Sequence, residues 1–278
     1  MKTYPRVLTI AGSDSGGGAG IQADIKTISA TGSYAASAIT AVTVQNTLGV
    51  EAVHPVPEDV IAAQIDCVLS DIGADAIKIG MLHSAEVVLC VRDALLRALE
   101  SGCPGAGNIV LDPVMVATSG HRLIEESAIR VLSEELLPMA RVITPNIPEA
   151  EILAGVKISS QADLPDVARK LSFGGRVSVL MKAGHLSVER MVDYLYNAED
   201  DSITPLPGVR IQTPNTHGTG CTLSSALASF LAQGLPLVDA ARAATAYIHS
   251  AIESGAEYTI GHGHGPVDHF HVLRTKVL

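Results

Sequence analysis

Short apolar runs alternate with amphipathic helical segments along most of the 278 residues, and this alternation is the feature that most constrains the fold. Repeated β-α units with apolar strands predict a mostly parallel sheet that helices cover on both faces. The sequence is therefore typical of the α/β class. The segments predicted as strands are residues 7–11, 37–44, 76–79, 109–111, 141–144, 177–182 and 191–196.

Helical periodicity fills the intervals between these strands. The predicted helices are residues 21–30, 58–69, 85–99, 127–136 and 164–172, and two more helices flank the turn Gly234-Leu235-Pro236. Residues 191–211 are more β-like, which predicts a hairpin or an edge excursion. Because no Pro-rich or Ser-rich linker, repeat or low-complexity tract interrupts the pattern, we interpret residues 1–278 as one domain.

The composition excludes several classes of partner. The formal net charge is −10 and tryptophan is absent, so the chain has neither a basic face for a nucleic acid backbone nor many rings on which bases stack. The first residues lack the long apolar region of a signal peptide, and no stretch approaches 18 apolar residues. We therefore expect a cytoplasmic protein with no nucleic acid and no membrane partner.

A glycine-rich segment, residues 216–224, opens a strongly patterned helix. Leu223, Ala226, Leu227, Phe230 and Leu231 recur at the spacing of one buried helical stripe. The preceding glycines therefore lie at a helix N-terminus, where free N–H groups and the positive end of the helix dipole bind anions such as phosphate. The alternative is that the glycines only cap a core helix.

The four cysteines are too sparse for a disulfide framework and form no C-x-x-C pair. Cys221 lies at the predicted helix N-terminus, where we expect a reactive, solvent-reachable thiol. Cys67 and Cys90 fall within helical apolar patterns, which predicts inert, buried side chains. Cys103 precedes Pro104 in a glycine-rich loop, so we expect its side chain to be more exposed than those of Cys67 and Cys90.

Polar residues follow several predicted strands, at the sheet edge where ligands bind in α/β folds. The glycine-rich stretch 12–20 follows the first strand but contains neither a P-loop lysine nor a G-x-G-x-x-G pattern. The position of Asp112 suits a carboxylate that holds a metal-bound water or helps to position a phosphate, although an Asp is also common in turns. The position of Lys182 suits a cation that faces a phosphate, although a lone Lys is more often a surface residue. Asn146 and Glu149 have the spacing of either a capping box or a metal site.

Taken together, these segments resemble one family closely. The stretches that carry the resemblance are residues 10–24, 78–82, 111–115, 144–149, 180–182 and 215–224. They are similar to the hydroxymethylpyrimidine/phosphomethylpyrimidine kinases of thiamine biosynthesis, which belong to the ribokinase-like superfamily. The resemblance implies a ribokinase-like α/β fold and two successive ATP-dependent phosphoryl transfers, first to the hydroxymethyl group and then to the monophosphate.

The resemblance also implies roles for individual residues on the ATP side. Gly218, Gly220 and Cys221 would form the catalytic anion hole. Thr219, Lys182 and Asp112 would place the ATP phosphates, and Asn146 with Glu149 would hold Mg²⁺ largely through water. Related sugar kinases carry Asp where this chain has Cys221, and we hypothesise that a neutral thiol avoids repelling an acceptor that already carries phosphate.

The implied pyrimidine pocket consists of Gly12, Asp24, Val42, Gln45 and Met81. The amide of Gln45 can donate and accept side by side, which matches the amino group and ring nitrogen of an aminopyrimidine. Taken alone, Asp24 is equally an ordinary acid in the first turn of a helix, and Met81 is equally a core residue.

Several alternatives stay open at this point. A pyridoxine or pyridoxal kinase of the same subfamily competes with the pyrimidine kinase, and a non-catalytic pyrimidine sensor on the kinase scaffold is a third reading. Superfamily relatives are often dimers, which predicts a homodimer. The histidine-rich tail, residues 261–271, has the residue types of a zinc site, but we expect it to serve packing or assembly.

Overall fold

Nine strands form one sheet in the computed structural model, which describes residues 2–116, 123–184 and 190–274. The strands are β1 (Arg6–Ser13), β2 (Tyr34–Asn46), β3 (Gly49–Pro55), β4 (Ala76–Ile79), β5 (Ile109–Leu111), β6 (Val142–Ile143), β7 (Ser178–Met181), β8 (Arg190–Asn197) and β9 (Ser202–Val209). Their order across the sheet is β3-β2-β1-β4-β5-β6-β7-β8-β9.

The centre of the sheet is parallel and its two edges are antiparallel. Strands β2, β1, β4, β5, β6 and β7 pair in parallel, whereas β3 runs antiparallel to β2, and the hairpin β8–β9 continues antiparallel from β7. The predicted parallel sheet and the predicted hairpin after residue 191 are confirmed. The sequence interpretation missed β3, whose side chains are mostly exposed or half-buried and so form no apolar run.

Most of the described helices lie close to their predicted positions, whereas those at Ile147–Ala154 and His271–Arg274 were absent from the predicted set. The described helices are α1 (Gly20–Ala30), α2 (Glu58–Asp71), α3 (Ala85–Glu100), α4 (Glu126–Val131), α5 (Ile147–Ala154), α6 (Leu164–Lys170), α7 (Thr219–Ala232), α8 (Leu237–Gly255) and α9 (His271–Arg274). The segment predicted as one helix over 127–136 is divided, because α4 passes into a wider π turn at Leu132–Leu136. Among the described residues, no helix combines the length and apolar character that crossing a membrane requires.

Two hydrophobic clusters lie on opposite faces of the sheet. Leu8 and Ile10 of β1 belong to one cluster, with buried side chains of α2, α3, α5 and α6. Val7 belongs to the other cluster, with buried side chains of α1, α7 and α8. Because successive strand side chains point to opposite faces, β1 contributes to both clusters. Helices therefore cover both faces of the sheet, as predicted.

Candidate active site

A cavity of about 680 Å³ opens at the carboxyl ends of the parallel strands. This is the position at which α/β sheets bind ligands, because the loops that follow the strands converge there. Of the predicted site residues, those that line the cavity are Gly12, Gln45, Met81, Asp112, Asn146, Glu149, Lys182, Gly218, Thr219, Gly220 and Cys221. Asp24 and Val42 do not line it.

The N-terminus of α7 forms one wall of this cavity. Gly218 caps the helix with a φ of 80°, a left-handed conformation that favours glycine. A side chain at Gly218 would also collide with the carbonyl oxygen of Gly18, so the two glycine-rich loops pack directly against each other. In the described part of the chain, the amides of Gly220 and Cys221 have no hydrogen-bond acceptor. The wall therefore presents free N–H groups to an anion.

The thiol of Cys221 corrects one prediction. Cys221 is half-buried, and burial raises the pKa of its thiol to about 11, although the cation of Lys78 and the amide of Gly20 act in the opposite direction. The sequence interpretation expected the helix N-terminus to favour the thiolate. Desolvation outweighs that effect, so the thiol is neutral at neutral pH.

Lys182 and Asp112 form an ion pair across the cavity wall. Lys182 Nζ donates to Asp112 Oδ1 at 2.7 Å, and the hydroxyl of Thr144 donates to the same oxygen at 2.9 Å. Burial works to lower the pKa of Lys182, but the carboxylates of Asp112 and Glu149 outweigh it and raise the pKa. Lys182 is therefore a permanent cation that faces the cavity beside α7.

Asn146 and Glu149 form the capping box that their spacing predicts. The side chain of Asn146 accepts from the Glu149 amide at 3.0 Å, and Glu149 Oε2 accepts from the Asn146 amide at 2.8 Å. Glu149 is only 4% exposed, and burial raises the pKa of its carboxyl to about 7. The capping reading is confirmed, and it leaves a buried carboxyl group at the cavity that a cation would stabilise in its charged form.

Asp24 has a different position from the one predicted. Its side chain is fully buried, and Lys78 Nζ donates to both of its carboxylate oxygens at 2.9 Å. The hydroxyls of Thr9 and Ser225 donate to the same carboxylate at 2.6 and 2.7 Å. A carboxylate that is satisfied in this way has no free face for a ligand. The sequence interpretation gave no role to Lys78, which lines the cavity beside Cys221.

Three of the predicted pyrimidine residues, Gly12, Gln45 and Met81, also line the cavity. A side chain at Gly12 would lie 2.6 Å from the terminal methyl of Met81, so the glycine allows Met81 to cover this part of the cavity wall. Ser15 holds the backbone of Gln45. Its hydroxyl accepts from the backbone N–H of Gln45 at 2.9 Å and donates to the backbone carbonyl of Gln45 at 2.7 Å. Val42, like Asp24, does not line the cavity, and its side chain is 47% exposed on β2.

The sequence interpretation missed Asp14 and His217, which join the loops around Gln45. His217 Nε2 lies 2.9 Å from Asp14 Oδ2 and 3.4 Å from Gln45 Nε2. It also missed Asp193 on β8, which lines the cavity and accepts from the amide of Ala183 at 2.7 Å. Burial raises the pKa of Asp193 to about 6. The sequence gives only a weak signal for Asp14, His217 and Asp193, because single polar residues are common in loops and edge strands.

The histidine-rich tail packs against two segments next to the site, the turn between β2 and β3 and the first turn of α7. The amide of His264 donates to the carbonyl of Thr47 at 2.9 Å, beside the turn between β2 and β3. His269 is buried, and its Nε2 lies 3.1 Å from the hydroxyl of Thr222 in the first turn of α7. Burial lowers the pKa of His269 to about 4. The tail therefore packs against the rest of the chain, which is one of the two roles expected of it.

Two other cysteines reverse the expected order of exposure. Cys67 is exposed on α2, because it lies off the buried stripe formed by Ile61 and Ile65. Cys103 is half-buried and packs against the core, with its thiol 3.7 Å from the carbonyl of Ala74. Helical periodicity alone did not identify which face of α2 is covered.

The family of the chain follows from comparison with known sequences. The profile of the phosphomethylpyrimidine kinase family matches residues 14–268. The chain belongs to this family. A member from Rhizobium meliloti (strain 1021), named hydroxymethylpyrimidine/phosphomethylpyrimidine kinase, is 48% identical over 265 residues, which are 95% of this chain and 96% of that one.

Solved structures agree with this family assignment. The crystal structure of phosphomethylpyrimidine kinase from Clostridium difficile 630 is 42% identical, covers 89% of this chain and 99% of its own, and has a TM-score of 0.77. Pyridoxal kinase from Staphylococcus aureus in complex with AMP-PCP and pyridoxal is 33% identical, covers 98% of this chain and 96% of its own, and has a TM-score of 0.86. These neighbours are ribokinase-like kinases, so the predicted fold is confirmed.

Proposed function

We propose that this member of the phosphomethylpyrimidine kinase family phosphorylates 4-amino-5-hydroxymethyl-2-methylpyrimidine and then its monophosphate, with ATP as the donor, in thiamine biosynthesis. The observation that carries the proposal is one cavity that is lined by Gln45, by the free amides of the α7 N-terminus, and by Cys221 and Lys182. An aminopyrimidine on Gln45 and a phosphate on α7 would then meet inside the same cavity.

Phosphoryl transfer depends mainly on positioning and charge neutralisation, because its transition state is loose. In this proposal the amides of Gly218, Gly220 and Cys221 bind the oxygens of the transferring group, and Lys182 adds a fixed cation. The first acceptor is a neutral hydroxymethyl group, and the second already carries phosphate. A neutral thiol at Cys221 does not repel the second acceptor, as a carboxylate would.

The residues present also fit a bound Mg²⁺. Oxygen donors are the ligands that Mg²⁺ prefers, and Asp112 and Glu149 bring two carboxyl groups to the cavity wall next to Lys182. Glu149 is buried and shares the nearby cation of Lys182 with Asp112, so a divalent ion would add to the compensation of its charge. We propose that Glu149 holds Mg²⁺ largely through water, with Asn146 fixing the Glu149 side chain. When bound, Mg²⁺ neutralises phosphate charge.

The second candidate is a pyridoxal kinase, because the Staphylococcus aureus pyridoxal kinase is similar over nearly the whole chain. Steady-state kcat/KM for the hydroxymethylpyrimidine, its monophosphate and pyridoxal, measured side by side, tests the proposal. We expect both pyrimidines to be used more efficiently than pyridoxal. A higher kcat/KM for pyridoxal would favour the second candidate, and the absence of turnover with all three would favour the non-catalytic sensor.

We further propose a cytoplasmic homodimer built from a single kinase domain. Val42, Val44 and Leu48 are exposed apolar side chains close together on the β2–β3 hairpin, and they are 47%, 54% and 66% exposed. Burial of such a surface between two copies would remove it from water. Light scattering coupled to size-exclusion chromatography tests this, and Val44→Glu should then shift the protein to a monomer.

A further inference from the structure

The side-chain amide of Gln45 lies between two polar neighbours in the cavity wall. Its Oε1 lies 3.2 Å from Thr43 Oγ1, and its Nε2 lies 3.4 Å from His217 Nε2. The oxygen and nitrogen of an amide exchange places when the group is turned over, and the two orientations have nearly the same shape. The hydrogen-bonding capacity of the neighbours therefore decides between them.

On one side, His217 can only donate. Its Nε2 lies 2.9 Å from Asp14 Oδ2, and the same carboxylate accepts from the amides of Gly16, Gly18 and Ala19 at 2.8 to 2.9 Å. Burial alone raises the pKa of Asp14, but these donors outweigh it and lower the pKa. Since an ionised carboxylate only accepts, His217 Nε2 carries a proton. A protonated Nε2 has no lone pair left to accept an N–H of Gln45. The Gln45 atom that faces it at 3.4 Å is therefore the oxygen, which shares the hydrogen that His217 directs at Asp14.

On the other side, Thr43 can only accept. Its hydroxyl donates to the carbonyl of Ser13 at 2.7 Å, much closer than its 3.2 Å distance to Gln45. A hydroxyl has one hydrogen, so only its lone pairs are left for Gln45. The Gln45 atom that faces Thr43 must therefore be a donor. Both neighbours require the same orientation of the amide.

We infer that Thr43 and His217 are positioning residues that fix the direction of the Gln45 amide, with Nε2 toward Thr43 and Oε1 toward His217. One N–H of Gln45 is then directed at Thr43, and one lone pair is directed at the N–H of His217. The remaining N–H and lone pair form a donor–acceptor edge toward the cavity, in a fixed order. The inference deepens the proposed function, on which it rests, because it takes the aminopyrimidine as the ligand of this edge.

The fixed order determines which way the ring lies. The exocyclic amino group donates to Oε1 on the His217 side, and the adjacent ring nitrogen accepts from Nε2 on the Thr43 side. The carbon that carries the hydroxymethyl group is the ring neighbour of the amino-bearing carbon, on the side away from that nitrogen. The ring therefore directs its hydroxymethyl group from Thr43 toward His217, which immediately precedes Gly218 and the N-terminus of α7. A ligand with the reverse order, such as the 4-oxo analogue with its ring N–H, would be rejected.

The protonation of His217 can be measured directly in the ligand-free protein. A ¹⁵N–¹H long-range correlation spectrum of the ¹⁵N-labelled chain distinguishes the two histidine tautomers, and the spectrum of His217→Gln assigns the signals. We expect a proton on Nε2 of His217 near neutral pH. A neutral ring with its proton on Nδ1 and a bare Nε2 would overturn the inference, whichever substrate the enzyme uses.

Selectivity between the 4-amino ligand and its 4-oxo analogue tests the consequence. Calorimetric Kd values without nucleotide should favour the amino ligand by roughly 100-fold in the native protein, since one good donor–acceptor mismatch costs that much. Thr43→Val and His217→Leu each leave the Gln45 side-chain amide free to turn over. The ratio of the Kd for the 4-oxo analogue to the Kd for the 4-amino ligand should therefore decrease by about tenfold or more. Thr43→Ser and His217→Gln, which keep the polar group, should restore most of the ratio. His262→Leu, at an exposed tail histidine, is the matched control and should keep the native ratio.

General damage to the pocket would weaken both ligands equally and leave the ratio unchanged. An unchanged ratio in Thr43→Val and His217→Leu would therefore overturn the inference. If the native protein binds neither pyrimidine, the proposed function fails, and the tautomer measurement still decides whether His217 and Thr43 orient Gln45.

Discussion

Lys182 Nζ lies 2.7 Å from Asp112 Oδ1, so a cation that follows β7 is tied to a carboxylate that follows β5. Both side chains are largely buried, with 13% and 3% of their surfaces exposed. The pair holds the cation beside the free amides of α7, and it keeps the charge of Asp112 compensated when no ligand is bound. Removal of either partner leaves the other as an uncompensated charge.

Replacement of Lys182 by Met should therefore lower kcat by roughly 100-fold or more, because a preorganised cation is lost from the phosphate site. The measurement is steady-state kcat and KM with both pyrimidines. Lys157→Met is the matched control, since Lys157 forms an exposed pair with Glu151 on the surface. Equal kcat values for Lys182→Met and Lys157→Met would show that the phosphate binds elsewhere.

Gly220→Val should abolish turnover while the protein stays folded. A side chain at Gly220 would lie 3.2 Å from Asp112 Oδ2 and 3.3 Å from Lys182 Nζ, and the further methyl groups of valine would separate that ion pair. Circular dichroism checks the fold, and a coupled kinase assay checks activity. Gly107→Ala has open space around it and should behave as the native protein does. A normally active Gly220→Val enzyme would contradict the assigned anion hole.

Alkylation of Cys221 should be slow at neutral pH and accelerate with pH. Because burial raises the pKa of the thiol to about 11, the thiolate fraction rises about tenfold per pH unit from pH 7 to pH 10, without a plateau. Mass spectrometry after brief treatment with iodoacetamide measures the rate at each cysteine. Exposed Cys67 is the internal reference. If the alkylation rate of Cys221 reached a plateau below pH 9, the thiol would instead have a lowered pKa and be activated.

Cys221→Asp should impair the second phosphorylation more than the first. A carboxylate at this position repels an acceptor that already carries phosphate, whereas the first acceptor is neutral. Single-turnover rates with the hydroxymethylpyrimidine and with its monophosphate give the comparison, and Cys221→Ser serves as the uncharged control. If Cys221→Asp lowered both single-turnover rates by the same factor, charge repulsion at this position would not explain why the chain has a cysteine there.

His269 should make the protein less stable in mild acid. Its pKa is lowered to about 4, so the folded state disfavours its charged form. The stability that the neutral ring provides is fully present above the unfolded pKa of about 6.5 and is lost as the pH falls toward 4, by up to about 3 kcal/mol. His269→Gln keeps a hydrogen-bonding partner for Thr222 but does not titrate.

Urea unfolding of the native protein and of His269→Gln at pH 7.5 and near pH 4.5 measures this difference. The native protein should lose more free energy of unfolding between the two pH values than the variant does. Equal losses would mean that His269 is solvated in solution.

The sequence predicts β4 and β5 with the bounds that the structure shows, because each is a short, mostly apolar run whose side chains are all buried. It misses β3 since that strand depends on pairing with β2 and has no apolar pattern of its own. The sequence motifs identified the cavity residues that directly follow a strand or that lie at the beginning of a helix. The resemblance to a family added Asp24 and Val42, which the structure places outside the cavity wall.

The residues that were missed depend on partners far away in the sequence. His217 and Asp14 are 203 positions apart, and Lys78 and Asp24 are 54 apart, so no local pattern reveals either pair. The pKa of Cys221 was misjudged for a related reason. A helix N-terminus is visible in the sequence, but the desolvation that outweighs it arises from tertiary packing.

The packing of the tail has a consequence for the order in which the site is completed during synthesis. Residues 264 and 269 contact Thr47 and Thr222, which a ribosome would add to the chain much earlier. Until the tail has left the exit tunnel, neither the β2–β3 turn nor the first turn of α7 has its final contacts. A nascent chain that already contains all the residues around the phosphate would therefore still lack these two contacts until translation reaches the tail.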